Sequence, residues 1–251
     1  MAHTGTEANE ILGWIRLEVN SDHFLKRLLD VVVVGTALLF LFPLIGVVAL
    51  AIKLESRGSV FYRCRRVGLG GREFGMLKFR KMRAAATGSP LTAPDDERFT
   101  RLGRFLARTK LDEIPQLWNV LTGSMSLVGP RPEDPSFVAL RRADYERILQ
   151  VRPGITGLSQ LAFARENEIL DSEDRVGDYV HRLLPQKVRI DRLYVRRRSI
   201  LMDLRILGWT AITVFFKREV AVHRSTGCLT LRRRPPRLAP ESLRADRAVT
   251  S

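Results

Sequence analysis

Asp112 and Glu113 stand side by side in Thr109-Lys110-Leu111-Asp112-Glu113-Ile114-Pro115-Gln116-Leu117-Trp118-Asn119-Val120-Leu121. That stretch runs on through Gly123-Ser124-Met125-Ser126-Leu127-Val128 into Gly129-Pro130-Arg131-Pro132-Glu133. Adjacent carboxylates can hold a cation, move a proton or attack an electrophile. Thr109 with Asp112 three residues on resembles a capping box, and Pro115 suits a first turn, so the pair is expected near a helix start. Acidic residues there also serve the helix dipole alone, and the pair by itself leaves both readings open. Pro130 and Pro132 fix their own φ and push the residue before each toward extended geometry, so Arg131 leaves a stiff backbone in a set direction. A guanidinium held that way suits a phosphate.

Several elements must position these groups. Ser59-Val60-Phe61-Tyr62 and Phe74-Gly75-Met76-Leu77-Lys78-Phe79-Arg80 read as strands of a small hairpin, joined through Arg65-Arg66-Val67-Gly68-Leu69-Gly70-Gly71-Arg72. No Gly-Lys-Ser/Thr follows those glycines, so the turn is not a Walker loop. Residues 84–94 are small, polar and punctuated by Pro and Gly, as in a mobile loop. Arg98 to Leu106 carries apolar residues at helical spacing with arginines between them; the arginines are either a solvated face or cations carried toward Asp112, in which case Arg104 and Arg108 are candidates for a diphosphate's counter-charges. Phe137 to Leu149 reads as an amphipathic helix, ended by Pro153-Gly154.

The Leu-Asp-Glu-Ile-Pro-Gln-Leu-Trp-Asn-Val-Leu block, the Met-Ser-Leu-Val-Gly-Pro-Arg-Pro-Glu block and Arg152-Pro153-Gly154-Ile155-Thr156-Gly157-Leu158-Ser159-Gln160 resemble the bacterial sugar transferases known as monotopic phosphoglycosyl transferases. The resemblance covers roughly Phe24 to Phe216 and takes in the Asp191-Arg192-Leu193-Tyr194-Val195 ending. It implies transfer of a sugar 1-phosphate from a UDP-sugar to a polyprenyl (undecaprenyl) phosphate, the first step of polysaccharide or glycoconjugate synthesis. In that scheme Asp112 is the nucleophile and forms an aspartyl phosphosugar. Glu113 holds Mg2+ with Asp112 or acts as base; Lys78, Arg80, Pro130, Arg131 and Pro132 join Arg104 and Arg108 around the substrate. The chain departs from the family pattern twice: Cys64-Arg65 stands where Gln-Glu is usual, and residues 162–167 replace an Asn-Gly-Arg cluster.

Val31 to Ile52 is apolar over about 22 residues, long enough to span a bilayer. Pro43 interrupts it, and basic residues flank it on both sides, Lys26 and Arg27 before and Arg57, Arg63, Arg65 and Arg66 after. A Pro-kinked transmembrane helix is one reading. A helix that enters, breaks at Pro43 and returns keeps both flanks cytoplasmic and matches the family's re-entrant anchor. Arg196 to Arg198 before an apolar, Trp-bearing stretch reaching Phe216 has the pattern of an interfacial helix on anionic lipid.

The expected fold is therefore α+β, mostly helical and membrane-associated, with one re-entrant Pro-broken helix hairpin, interfacial amphipathic helices and a small β-hairpin. Its expected division is a loose leader (1–22), the re-entrant helix (23–56), a catalytic domain (57–220) and a basic disordered tail (221–251). The expected location is the cytoplasmic face of a bacterial inner membrane, with a monotopic arrangement. A net charge of +15 and a pI near 10.9 call for acidic partners. UDP-sugar, polyprenyl phosphate and membrane lipids meet that need. A membrane-attached nucleic-acid-binding or scaffold protein is the other class that charge suggests, but no helix-turn-helix, zinc-finger or RNP-like motif accompanies it. The two cysteines and four histidines form neither a disulfide framework nor a metal-ligand spacing. The sugar, the downstream glycan and the oligomeric state, a homodimer among its options, are left open.

Overall fold

The computed structural model describes residues 4–83, 96–164, 174–223 and 225–231, with side-chain environments from Phe24 onward. The loop expected at 84–94, Arg165 to Asn167 and the basic run from Arg232 lie outside those residues. The fold is α+β, mostly helical, with a small β-hairpin and one apolar N-terminal helix.

Helix α1 runs from Thr4 to Glu55, with Pro43 inside it. It thus opens within the stretch expected to be a loose leader, and Pro43 does not divide it into two elements. Its buried face is set by spacing: Asp30, Val34, Leu38, Ile45, Val48 and Ile52 follow one another at three, four or seven residues and fall on one stripe. Val34 packs with Met76, Val120 and Met125, and Val48 and Ile52 with Phe79 and Leu106. Each such aliphatic side chain contributes about 1.5–3 kcal/mol on full burial. Between the two contact zones Leu39, Phe40 and Phe42 are 74%, 77% and 75% exposed, the most open part of the apolar stretch to either side of Pro43. Among the described residues, α1 from Phe24 to Glu55 is the helix long and apolar enough to cross a membrane.

Strands β1 (Phe61–Val67) and β2 (Glu73–Phe79) pair antiparallel through the glycine turn, where Gly70 and Gly71 take φ of 66° and 77°. Helices α2 (Arg101–Thr109) and α3 (Gln116–Leu121) follow, separated by a short 3-10 turn at Leu111–Glu113. Strand β3 (Ser126–Val128) pairs in parallel with β4 (Gly154–Thr156). The stretch expected as one helix from Phe137 to Leu149 is two, α4 (Pro135–Leu140) and α5 (Arg142–Ile148), because Arg141 leaves helical geometry at φ −132°. After α6 (Leu158–Ala162) come α7 (Arg175–Asp178), a π-turn at Tyr179–Leu183, α8 (Leu184–Arg197) and α9 (Ile200–Phe216).

Ordered structure continues past residue 221, where a disordered tail is expected: β5 (Val220–Val222) and β6 (Leu229–Leu231) form a hairpin, with Val220 buried against Leu158, Ile190 and Ile206. The apolar residues Val220, Val222 and Leu229 give that segment a core to join.

Candidate active site

The segment carrying the two carboxylates is built by a helix stop. Thr109 does not open a helix; it closes α2, its Oγ1 donating back to the Phe105 carbonyl at 2.9 Å, and the N-cap of that helix is Thr100, which accepts from Gly103 N. Lys110 then adopts the left-handed region at φ 60° and ends α2. Asp112 and Glu113 fall on the 3-10 turn that follows, and Pro115 is the N-cap of α3. The expected capping box is absent because Lys110 turns the chain before Asp112.

Glu113 is clasped by two cations. Lys78 Nζ and Arg131 Nη2 each donate to Glu113 Oε1 at 2.9 Å. Burial would raise the Glu113 carboxyl, but the Arg131 and Lys78 charges outweigh it and hold the group well below the usual carboxylate range. Burial depresses the Lys78 ammonium; Glu113 opposes that shift, whereas Arg131 and Lys81 add to it.

Asp112 is more deeply set. Its side chain is 2% exposed and Lys81 Nζ stands 3.1 Å from Oδ2. That approach is close enough for an ion pair yet not aligned as a hydrogen bond, so Oδ2 is buried without a hydrogen-bond partner among the described residues. A shielded carboxylate oxygen with an ammonium beside it is what an incoming phosphoryl group could use: the oxygen as nucleophile, the cation for the phosphate.

Two supports keep these cations in place. The Asn119 side chain binds the free edge of β2, its Oδ1 accepting from Leu77 N at 2.8 Å and its Nδ2 donating to Gly75 O at 3.0 Å, which locks Lys78 over Glu113. Gly103 lets α2 pass against the chain at Lys81: a Cβ there would lie 1.9 Å from the Lys81 carbonyl oxygen.

The structure brings Asp112, Glu113, Lys78 and Arg131 together, with Pro130 and Pro132 buried on either side of Arg131. It does not bring in Arg80, whose guanidinium caps the end of α1 by donating to Ser56 O at 2.7 Å and Arg57 O at 2.9 Å. Arg104 and Arg108 lie on the exposed face of α2, opposite buried Leu106, and neither forms an ion pair with Asp112 or Glu113. Lys81 and Asn119 are the residues that sequence reasoning missed. Strand alternation pairs Lys78 with Arg80, but β2 ends at Phe79, and past it the alternation gives no guide.

Comparison with known proteins decides the family. The bacterial sugar transferase family model matches residues 21–217. The chain belongs to that family. It is 40% identical over 200 residues to the UDP-glucose:undecaprenyl-phosphate glucose-1-phosphate transferase of Xanthomonas campestris, a match that covers 75% of this chain and 38% of that protein. It is 35% identical to the UDP-N-acetylgalactosamine-undecaprenyl-phosphate N-acetylgalactosaminephosphotransferase of Aeromonas hydrophila, covering 76% of this chain and 44% of the relative. Identity is also 35% to the exopolysaccharide production protein PSS of Rhizobium leguminosarum, where 76% of this chain covers 96% of the relative. The match thus spans less than half of the Xanthomonas and Aeromonas proteins and nearly all of the Rhizobium one.

Proposed function

We propose that this chain transfers a sugar 1-phosphate from a UDP-sugar to polyprenyl phosphate, in two steps through Asp112. The observation that carries the reading is the buried Asp112 Oδ2 beside Lys81, next to a Glu113 held by Lys78 and Arg131. In the first step Asp112 Oδ2 attacks the sugar-bearing phosphorus; the bond to the bridging oxygen breaks and UMP leaves with that electron pair. In the second, a phosphate oxygen of the lipid acceptor attacks the same phosphorus and frees the Asp112 carboxylate. Lys81 releases Asp112 to meet the phosphate's charge, and Arg131 and Lys78 stand ready for the rest of the diphosphate.

The donor set fits Mg2+ only together with substrate. Asp112 and Glu113 are adjacent carboxylates, and no group of three or more His, Cys, Asp or Glu side chains that could hold a metal gathers among the described residues. Mg2+ commonly takes one or two carboxylates plus substrate phosphates and water, so Asp112 and Glu113 would hold it alongside the diphosphate. When bound, the ion would neutralise charge on the leaving nucleotide.

The acceptor requires the site to sit at a bilayer surface, and the docking of α1 supports that placement. Both ends of its apolar stretch are tied to one domain. Arg27 donates to Val120 O at 2.6 Å and Leu121 O at 2.8 Å, and Glu55 Oε1 accepts from Leu102 N at 2.9 Å. A helix anchored at both ends to one globular domain enters and leaves the bilayer on one side, with the exposed Leu39–Phe42 region deepest. This reading puts the protein on the cytoplasmic face of the inner membrane as a monotopic enzyme.

A UDP-sugar labelled in its β-phosphate tests the chemistry. Wild-type protein is expected to carry label after denaturation and to release UMP, with parallel double-reciprocal lines for the two substrates. Asp112→Asn is expected to do neither. An active Asp112→Asn protein with intersecting lines overturns the covalent route.

A further inference from the structure

A cavity of about 490 Å3 lies where the start of the apolar stretch of α1, strand β3, the end of α8 and the head of α9 meet. None of Lys78, Lys81, Asp112, Glu113 or Arg131 lines it, so it is separate from the site above. Its charged lining is five cations, Lys26, Arg27, Arg152, Arg196 and Arg198, against two carboxylates, Asp30 and Asp203. Both carboxylates are already engaged by protein donors. Lys26 Nζ and Tyr194 Oη bind Asp203, and Leu127 N donates to Asp30 Oδ1 at 3.2 Å. Lys26, Arg27 and Arg152 also donate to the Val128, Val120, Leu121 and Gly123 carbonyls, which leaves their charge in place, so the lining as a whole is net positive.

Two further features point to an anion. Ser126 lines the cavity at 1% exposure, and its Oγ has no hydrogen-bond partner among the described residues. A buried hydroxyl left unpaired is destabilising, and a ligand atom would satisfy it. The N-terminus of the 17-residue helix α9 also opens on the cavity through Ser199 and Ile200, adding the positive end of its dipole. Arginine forks, a hydroxyl donor and a helix N-terminus together match the oxygens of a phosphate better than a lone carboxylate.

From this convergence of cations, orphaned hydroxyl and helix N-terminus we propose that the cavity is a binding site for a phosphate ester. Its volume is within the range of ligand pockets and exceeds that of the phosphate alone, so the bound group carries a body of glycerol or sugar size. Lys26 and Arg27 immediately precede the apolar stretch of α1, which puts the cavity where a lipid headgroup at the bilayer surface could enter. A soluble phosphate ester presents the same chemistry. The proposal stands apart from the reading of Asp112.

The test uses the full chain in neutral detergent with two probes, phosphatidylglycerol in mixed micelles and soluble glycerol 3-phosphate, and reads binding by native mass spectrometry and by Kd. Arg152→Gln/Arg196→Gln is expected to weaken the bound probe about tenfold or more, the loss of two charge-assisted contacts. Arg196 is exposed, so Arg196→Gln alone serves if the double variant folds poorly. Ser126→Ala should weaken binding several-fold. Arg142→Gln/Arg147→Gln, which removes equal charge from exposed positions of α5, and Asp112→Asn should bind as wild type. Retention of the lipid alone assigns a headgroup site, and retention of glycerol 3-phosphate assigns a soluble ester. Binding of neither probe, equal binding by the cavity variants and the α5 control, or loss of binding in Asp112→Asn overturns the proposal.

Discussion

Glu113 is one carboxylate held by two cations, and its ionisation follows from them. Because its folded-state pKa is depressed, the clasp contributes stability that is present above the ordinary value of 4.5 and is lost as pH falls through the folded value. Melting of wild type and Glu113→Gln across pH should show a gap that narrows below pH 4.5. Asp191, on α8, has the opposite sign. Burial raises its carboxyl to about 7, against a partial offset from Ser159 and Lys187, and its Oδ1 lacks a hydrogen-bond partner among the described residues. A raised acid loses stability as pH climbs from its unfolded value of 3.8 to its folded one, so Asp191→Asn is expected to melt above wild type at pH 8 and to match it near pH 4. Lys81 and Arg80 make a further contrast. Lys81→Ala removes the cation beside Asp112 and should reduce UMP release by about tenfold or more, the scale of a lost charge-assisted contact. Arg80→Ala should leave turnover within a few-fold and lower the melting temperature instead, since its contacts are to the end of α1.

At the scale of elements, the site depends on how closely α2 approaches β2. Gly103 sits with its missing Cβ 1.9 Å from the Lys81 carbonyl, and Thr100 N donates to that same carbonyl at 3.1 Å. Gly103→Ala must push α2 or the Lys81 backbone aside, at roughly 1–3 kcal/mol for an overpacked contact. Its expected signature is a lower melting temperature together with a slower first step, measured as UMP release. Thr100→Ala, which removes only the cap of α2, should destabilise by about 1 kcal/mol with less effect on rate. A second close approach holds the Arg131 loop. Cβ atoms at Gly129 and Gly154 would fall 2.5 Å from Arg152 O and 2.1 Å from Gly129 N, so the β3–β4 pair tolerates no side chain there.

For the whole molecule, the anchoring of α1 at both ends is the feature with the widest consequence. Phe24 and Arg57 bracket its apolar stretch and are both exposed. In a background lacking Cys64 and Cys228, Phe24→Cys and Arg57→Cys are each expected to escape an impermeant thiol reagent in intact cells and to react after lysis. Labelling of either one from outside defeats the one-sided topology.

The residues of the site were legible in the sequence where covalent neighbourhood confers the property. Asp112 and Glu113 are adjacent in the chain, and prolines stiffen Arg131 from both sides, so the paired carboxylates and the rigid arginine need no tertiary information. The small hairpin and the amphipathic α2 were legible as well, because alternation and helical spacing are local patterns. What only the tertiary structure decided is which cation reaches which carboxylate. Lys81 faces Asp112 because the chain leaves β2 after Phe79 and Gly103 admits α2 beside it, and Arg80 turns to α1 because that helix ends within its reach. The continuity of α1 through Pro43 is of the same kind. Local chemistry disfavours proline inside a helix, whereas packing on both sides of it, at Val34 and at Val48 to Ile52, is decided by contacts distant in sequence.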